Sequence, residues 1–208
     1  MTFEGARSGS GPDGMLRRVC IFCGSSTGVR PEYRAAAEEI AVQLAKRNVG
    51  IVFGGGCIGL MGVVADTALA HGAHVIGVIP SAMVAREIAH RGLPDLRVVA
   101  SMHERKALMA SLSDAFIALP GGFGTFEEFC EVVTWTQLGL HRKPCGLLNV
   151  AGYYDPLVGL FDRAVADGFI RPENRHIVVA DSDPEALIER LVARPVAATR
   201  AAIQPDET

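Results

Sequence analysis

The chain has 208 residues, 49% of them hydrophobic and 21% charged, with a formal net charge of -3. That length fits one domain. A charge so near zero excludes a general nucleic-acid binder, which would carry a basic stripe, and no apolar run approaches the roughly 20 residues of a membrane helix. Residues 1–16, rich in Gly, Ser, Pro and Asp, contain no apolar stretch of the kind a secretory signal needs. They are expected to form a disordered lead-in, 194–208 a loose tail, and 17–193 a single nucleotide-binding domain.

Along the chain, short apolar runs alternate with helical patterns. A first strand is expected at 19–24 (VCIFCG) and a helix at 31–48, started by Pro31. Tyr33, Ala37, Ile40, Ala41 and Leu44 supply the apolar face of that helix. The second strand, 50–56 (GIVFGGG), runs into glycines. A helix over 59–72 follows, with Gly72 as its stop, and then a third strand over 74–80. After an irregular stretch come a short strand at 97–101, a helix from Met102, a strand at 115–122 and a helix opening at Thr125. Two further strands, at 143–150 and 176–180, alternate with helices at 154–168 and 183–193. Strands alternating with helices, each strand apolar nearly throughout, imply a parallel sheet covered on both faces. The fold expected is α/β, a doubly wound Rossmann-like sheet, and its ligands bind at the carboxyl ends of the strands.

The five cysteines are odd in number and lie mostly inside apolar runs, which fits reduced, buried thiols of a cytosolic protein. Cys20 and Cys23 form a C-x-x-C, but a strand sends residues three apart to opposite faces. No second pair completes a metal set, so neither a metal nor a redox cofactor is expected.

Glycine clusters follow three of the strands. Gly24 and Ser25 open the first, GSSTG, which reads either as a ligand loop or as a plain serine-capped turn. Gly54, Gly56 and Gly59 match G-x-G-x-x-G in the second, GGGCIGLMG. That pattern lets a backbone approach an anion at a helix N-terminus. Two features count against a dinucleotide site: the match lies in the second strand–helix unit, and the end of the third strand carries no acidic residue for a ribose. Gly55 completes a triple glycine, read here as a phosphate cradle. The third cluster, LPGGFGTFEEF at 119–129, sets glycines beside Glu127 and Glu128. Upstream, Ser101 and Glu104 spell a capping box. It places Arg105 and Lys106 in or just past the first turn, where the helix dipole disfavours cations. The two cations read as an anion clamp or as a solvated pair. Thr125 and Glu128 spell a second capping box, which leaves Glu128 either as a cap or as a site carboxylate. Phe126, Phe129, Cys130 and Val133 form one apolar stripe, with Glu128, Glu131 and Trp135 on the other side. Apolar residues on both sides suggest a second subunit. The helix dipole is expected to keep Glu128 ionised.

The motif PGGFGTFEE, with FGGGCIGLMG, MHERKALM, SDAFIALPGG and GLLNVAGYYDPL, resembles the Lonely Guy (LOG) family of cytokinin riboside 5′-monophosphate phosphoribohydrolases, often called lysine decarboxylase-like. The likeness runs from about residue 19 to about residue 191. It implies a hydrolase that cuts the N-glycosidic bond of N6-substituted adenosine 5′-monophosphates, and of AMP as well. The products would be a free base and ribose 5-phosphate. It also implies a homodimer. The positions that match the family's site are Glu87, Arg105, Lys106, the run Gly122, Phe123, Gly124, Thr125, Phe126, Glu127 and Glu128, and Thr134. Phe53, Cys57 and Phe123 depart from the tyrosine, serine and tyrosine common there. On this reading Glu128 is the catalytic carboxylate, facing the oxocarbenium-like charge on the ribose, and Arg105 is its partner. The amides of Gly122, Gly124 and Thr125, with Gly54–Gly56, hold the 5′-phosphate, while Lys106 and Glu87 complete the polar wall. Two alternatives stay open: a broader nucleoside monophosphate nucleosidase, and a nucleotide carrier that binds without cleaving.

Overall fold

The computed structural model describes residues 16–84 and 89–193. The expected lead-in up to residue 15, the tail and Glu87 lie outside the described residues, while Leu16, the last residue of that lead-in, packs against the core. Seven strands form one parallel sheet: β1 (Arg18–Phe22), β2 (Gly50–Phe53), β3 (Val75–Pro80), β4 (Asp95–Val99), β5 (Ala115–Ala118), β6 (Cys145–Leu148) and β7 (Val178–Asp181). Their spatial order is β4-β3-β2-β1-β5-β6-β7. The order reverses between β1 and β5, where Val19 pairs with Ala115 on one side and Ile51 on the other. In an open sheet this reversal parts the loops that follow the two strands and leaves a crevice at their carboxyl ends.

Among the described residues eight helices accompany the sheet: α1 (Pro31–Lys46), α2 (Gly59–Ala70), α3 (Ser81–Val84), α4 (Met102–Leu112), α5 (Phe123–Gln137), α6 (Asp155–Ala166), α7 (Pro172–Arg175) and α8 (Pro184–Val192). Alternation along β1 shows why two layers form. Val19 and Ile21 join the core under α1, α2 and α8, while Cys20 and Phe22 join the core under α4, α5 and α6. The C-x-x-C is split the same way, with Cys23 in the first core and Cys20 in the second. Both thiols are pushed upward by burial and stay protonated. Among the described residues no helix is long and apolar enough to cross a membrane.

Several local expectations hold for the reasons given. Pro31 opens α1. Gly72, at φ +76°, ends α2 with the bonds Gly72 N–H to Leu69 O and Ala73 N–H to Ala68 O of a Schellman turn. Ser101 Oγ accepts the Glu104 N–H at 3.1 Å, and the Glu104 carboxylate returns to the Ala100 N–H. Others shift. β4 occupies Asp95–Val99 rather than 97–101, and α5 begins at Phe123, two residues before Thr125. The two short helices α3 and α7, and a 3-10 turn at Val150–Gly152, are additions.

Candidate active site

The glycine-rich loop after β5 starts the site. Its chain turn is made by backbone bonding across the crevice: the Gly24 N–H donates to Pro120 O at 3.0 Å, and Gly24 O accepts the Leu60 N–H at 3.0 Å. Both polar groups of the Gly24 backbone are thereby used, so Gly24 braces the loops rather than offering a free donor. Ser25 stands exposed beside it, its backbone pressed against Gly59.

Gly121 sits against the Thr125 hydroxyl and the Gly24 amide, so closely that any side chain there would clash. Gly122 and Gly124 differ, because a side chain on either would meet nothing within 4 Å. That side of the loop is open. Gly122 is the N-cap of α5 and has no side-chain acceptor to give it. First-turn amides of a helix have no intrahelical partner, so those of Phe123, Gly124 and Thr125 are left without a bond inside α5, an arrangement able to receive an anion. Phe123 itself is 92% exposed at this mouth.

The second capping box does not form. Because α5 starts at Phe123, Thr125 and Glu128 lie in its first and second turns, and both are buried. Glu128 Oε1 accepts from Arg105 Nη1 at 2.7 Å instead, with side-chain exposures of 10% and 9%. The buried stripe of α5 is Thr125, Glu128, Phe129, Val132 and Thr136, so Glu128 faces the interior rather than the opposite side. The dipole argument for its ionisation also fails, since the effect fades within the first turn. Burial pushes the Glu128 carboxyl above its ordinary value, and the Arg105 charge opposes this without cancelling it.

Arg105 is fixed on three sides. Its Nε donates to Val78 O at 3.1 Å, its Nη1 donates to Glu128, and its Nη2 lies where a Gly54 side chain would stand, 2.0 Å from that Cβ position. This revises the reading of the triple glycine. Gly54, Gly55 and Gly56 are all buried. Gly54 makes room for Arg105. Gly55, at φ +72°, packs on Ile79 and Leu96, and its carbonyl accepts the His90 N–H. Gly56 bridges to Ala89. These residues form a packed crossing against the Arg105–Glu128 pair, not an open cradle.

Lys106 is also more committed than a phosphate clamp would be. Its Nζ donates to Glu127 and, at 3.0 Å, to Glu131. Burial, the largest single influence, pulls its pKa down, but the two carboxylates together outweigh it and leave it raised. Glu131 Oε2 is buried without a hydrogen-bond partner among the described residues. Arg105 and Lys106 thus face three carboxylates, one negative charge in excess. A wall with this balance of charge suits a developing cation better than a phosphate.

Two expected site residues stand apart. Phe126 stacks on Tyr153 and meets Tyr154 edge-on, so its ring is taken up by aromatic packing. Thr134 lies about 16 Å along α5 from Phe123 at helical rise, and its hydroxyl donates to Cys130 O. The site also includes two residues the sequence reading did not assign, Tyr153 and Tyr154. Their hydroxyls donate to Gly121 O and, at 2.6 Å, to Leu119 O. The only signal for them was the motif GLLNVAGYYDPL itself.

An open parallel sheet, with a helix N-terminus lacking a side-chain cap and a buried Arg–Glu pair near its switch point, defines a Rossmann-type protein with a candidate ligand site at the carboxyl ends of its strands. Comparison with known proteins places it further. Residues 61–191 match the family described as "Possible lysine decarboxylase". A probable cytokinin riboside 5′-monophosphate phosphoribohydrolase of Oryza sativa subsp. japonica is 54% identical over 176 residues, which are 85% of this chain and 78% of that one. A cytokinin riboside 5′-monophosphate phosphoribohydrolase of Arabidopsis thaliana is 51% identical over 85% of this chain and 83% of its own. In fold, the chain is similar to the molybdenum cofactor binding protein of Rippkaea orientalis (TM-score 0.65, 19% identity, 86% of this chain and 97% of that one). A similar likeness holds to the molybdenum cofactor carrier protein of Chlamydomonas reinhardtii (TM-score 0.64, 20% identity, 86% and 100%). The chain belongs to the Lonely Guy family of cytokinin riboside 5′-monophosphate phosphoribohydrolases.

Proposed function

We infer that this protein hydrolyses the N-glycosidic bond of N6-substituted adenosine 5′-monophosphates, and of AMP, to a free base and ribose 5-phosphate. The observation that carries this is the buried Arg105–Glu128 pair beside the open start of α5. The 5′-phosphate binds the amides of Gly122, Gly124 and Thr125. The ribose lies over Glu128, one turn further along the same helix. As the C1′–N bond breaks, its electron pair leaves with the base and positive charge gathers on the ribose. The carboxylate of Glu128 stabilises that charge. Water adds its oxygen to C1′, and the proton it loses passes by way of Glu128 to the departing base, so that the base leaves neutral and Glu128 returns to its ionised form. Arg105 orients the carboxylate and keeps it ionised against the pull of burial.

The working unit is a homodimer, a reading supported by α6. That helix buries none of its residues completely; Leu160 is 61% exposed and the nearby Phe169 86%. An apolar face left in this state is a partner surface. Thr134 lies on an exposed face of α5 that a partner could bring to a second crevice. The five free cysteines suit the reducing cytoplasm.

The test is base release from AMP and N6-isopentenyl-AMP, followed chromatographically. Release by the unaltered protein, and its loss in Glu128→Ala with the fold intact, is the expected result. Binding of AMP with no release would make the protein a carrier.

A further inference from the structure

The turn between β6 and α6 is built with unusual care for a connection on the far side of β5. Asn149 anchors it: its N–H donates to Asp181 O at 2.8 Å, its Oδ1 accepts the Tyr154 N–H at 2.7 Å, and its Nδ2 donates to Asp155 Oδ1 at 2.7 Å. Ala151, a non-glycine residue, is held at φ 51°, and Gly152 follows at φ 73°. Such strain persists only where the surroundings impose it. Its outcome is two consecutive tyrosines with rings 5.0 Å apart at 85°, both aimed at the glycine loop. Tyr33 packs edge-on against Tyr153 and fixes its ring.

The two hydroxyls have different tasks. Tyr154 donates to Leu119 O, and the next residue is Pro120, which has no N–H to orient. Tyr153 donates to Gly121 O, and the next residue is Gly122. In a trans peptide the C=O and the N–H point in opposite directions. Holding the Gly121 carbonyl on the Tyr153 side therefore turns the Gly122 N–H to the other side. With glycine on both sides, no Cβ resists rotation of this peptide plane, so the direction has to be set from outside. We propose that Tyr153 is a positioning residue for the 5′-phosphate, fixing the Gly121–Gly122 peptide so that the Gly122 N–H faces the anion. This rests on the function proposed above and adds the group that organises its anion site.

The experiment compares the unaltered protein with Tyr153→Phe, which removes one oxygen and keeps the packing. Calorimetry with ribose 5-phosphate and with N6-isopentenyladenine reads the two ends of the site separately. The Kd of ribose 5-phosphate is expected to rise about 10-fold, the scale of one hydrogen bond, while that of the base stays unchanged. In turnover, KM for N6-isopentenyl-AMP rises by a similar factor and kcat changes less than about 3-fold. Tyr154→Phe, lacking a following amide to orient, leaves the ribose 5-phosphate Kd within about 2-fold while lowering Tm. Equal ribose 5-phosphate binding by Tyr153→Phe and the unaltered protein overturns the inference alone. So does a parallel loss of affinity for both ligands, which would mark a purely structural role. No ribose 5-phosphate binding and no base release by the unaltered protein overturns the functional reading, and this inference with it.

Discussion

Replacing Gly54 with alanine adds one methyl group at a residue that the proposed reaction never touches, yet it strikes the Arg105–Glu128 pair directly. The new Cβ would stand 2.0 Å from Arg105 Nη2 and 3.2 Å from its Cζ. Contacts below 3.0 Å are essentially never made by real Cβ atoms, so the guanidinium must retreat by about 1 Å. An exposed arginine would swing aside at little cost. This one is buried, and its Nε is tied to Val78 O at 3.1 Å, so retreat strains that bond or breaks the 2.7 Å bond to Glu128. A misplacement of about 1 Å in a catalytic constellation costs on the order of 100-fold in rate. Losing the partner of a buried charge costs about 3 kcal/mol or more of stability. Gly54→Ala is therefore expected to fold, to melt at a lower temperature and to release base from N6-isopentenyl-AMP about 100-fold more slowly at saturation. Circular dichroism melting and chromatographic kcat measure these effects. A variant with the unaltered kcat would show that the triple glycine does not set the position of Arg105, and the packed-crossing account would fail.

Further outcomes follow from the same geometry. Because burial raises the Glu128 pKa and Arg105 opposes the rise, the acid limb of kcat/KM should lie above the ordinary carboxylate range and move further up in Arg105→Gln, as read from a pH–rate profile; a limb at the value of an exposed glutamate would contradict this. Lys106→Met leaves Glu127 and Glu131 facing each other without their shared cation, and urea unfolding should show a loss of about 1–3 kcal/mol, largely recovered by adding Glu131→Gln; an unchanged midpoint would mean the cluster is solvated. Burial lowers His141 from 6.5 to about 4. Its neutral form is thus favoured in the fold, and that contribution is complete above pH 6.5 and lost as pH falls toward 4. About 2 kcal/mol should disappear between pH 7.5 and pH 5, a difference that His141→Phe should abolish in denaturant titrations at the two pH values.

The layered fold was legible because its signals are local. Apolar strands such as β1 and β3, the proline opening α1 and the glycine closing α2 each act within a few residues of themselves. The capping box at Ser101 was legible for the same reason, and it correctly delivered Arg105 and Lys106 to one end of α4. Thr125 and Glu128 spell the same local pattern and form no cap. The glycines before them turn the chain earlier, and a buried arginine 23 residues upstream competes for the carboxylate. Glu128 also broke the expected stripe of α5, because a charged residue on a buried face reads as exposed until its partner is known. The triple glycine looked like an anion loop for a related reason. Close approach to a ligand and close approach to Arg105 ask the same thing of a backbone. Tyr153 and Tyr154 act over 32 and 35 residues, and no spacing rule links them to the loop they hold.

One consequence concerns α5 itself. Its first-turn amides and its buried carboxylate belong to one rigid rod, so the span from Gly124 to Glu128 is set by backbone rise, about 6 Å over four residues. The helix works as a gauge. A substrate with a second phosphate would seat its terminal group at the amides and push its sugar past the carboxylate, and no side-chain rotation could restore the match. Inserting one residue between the two would turn the carboxylate by about 100° around the rod. On the proposed binding mode, selectivity for the number of phosphates follows from the helix backbone and from the number of residues between its first amides and Glu128.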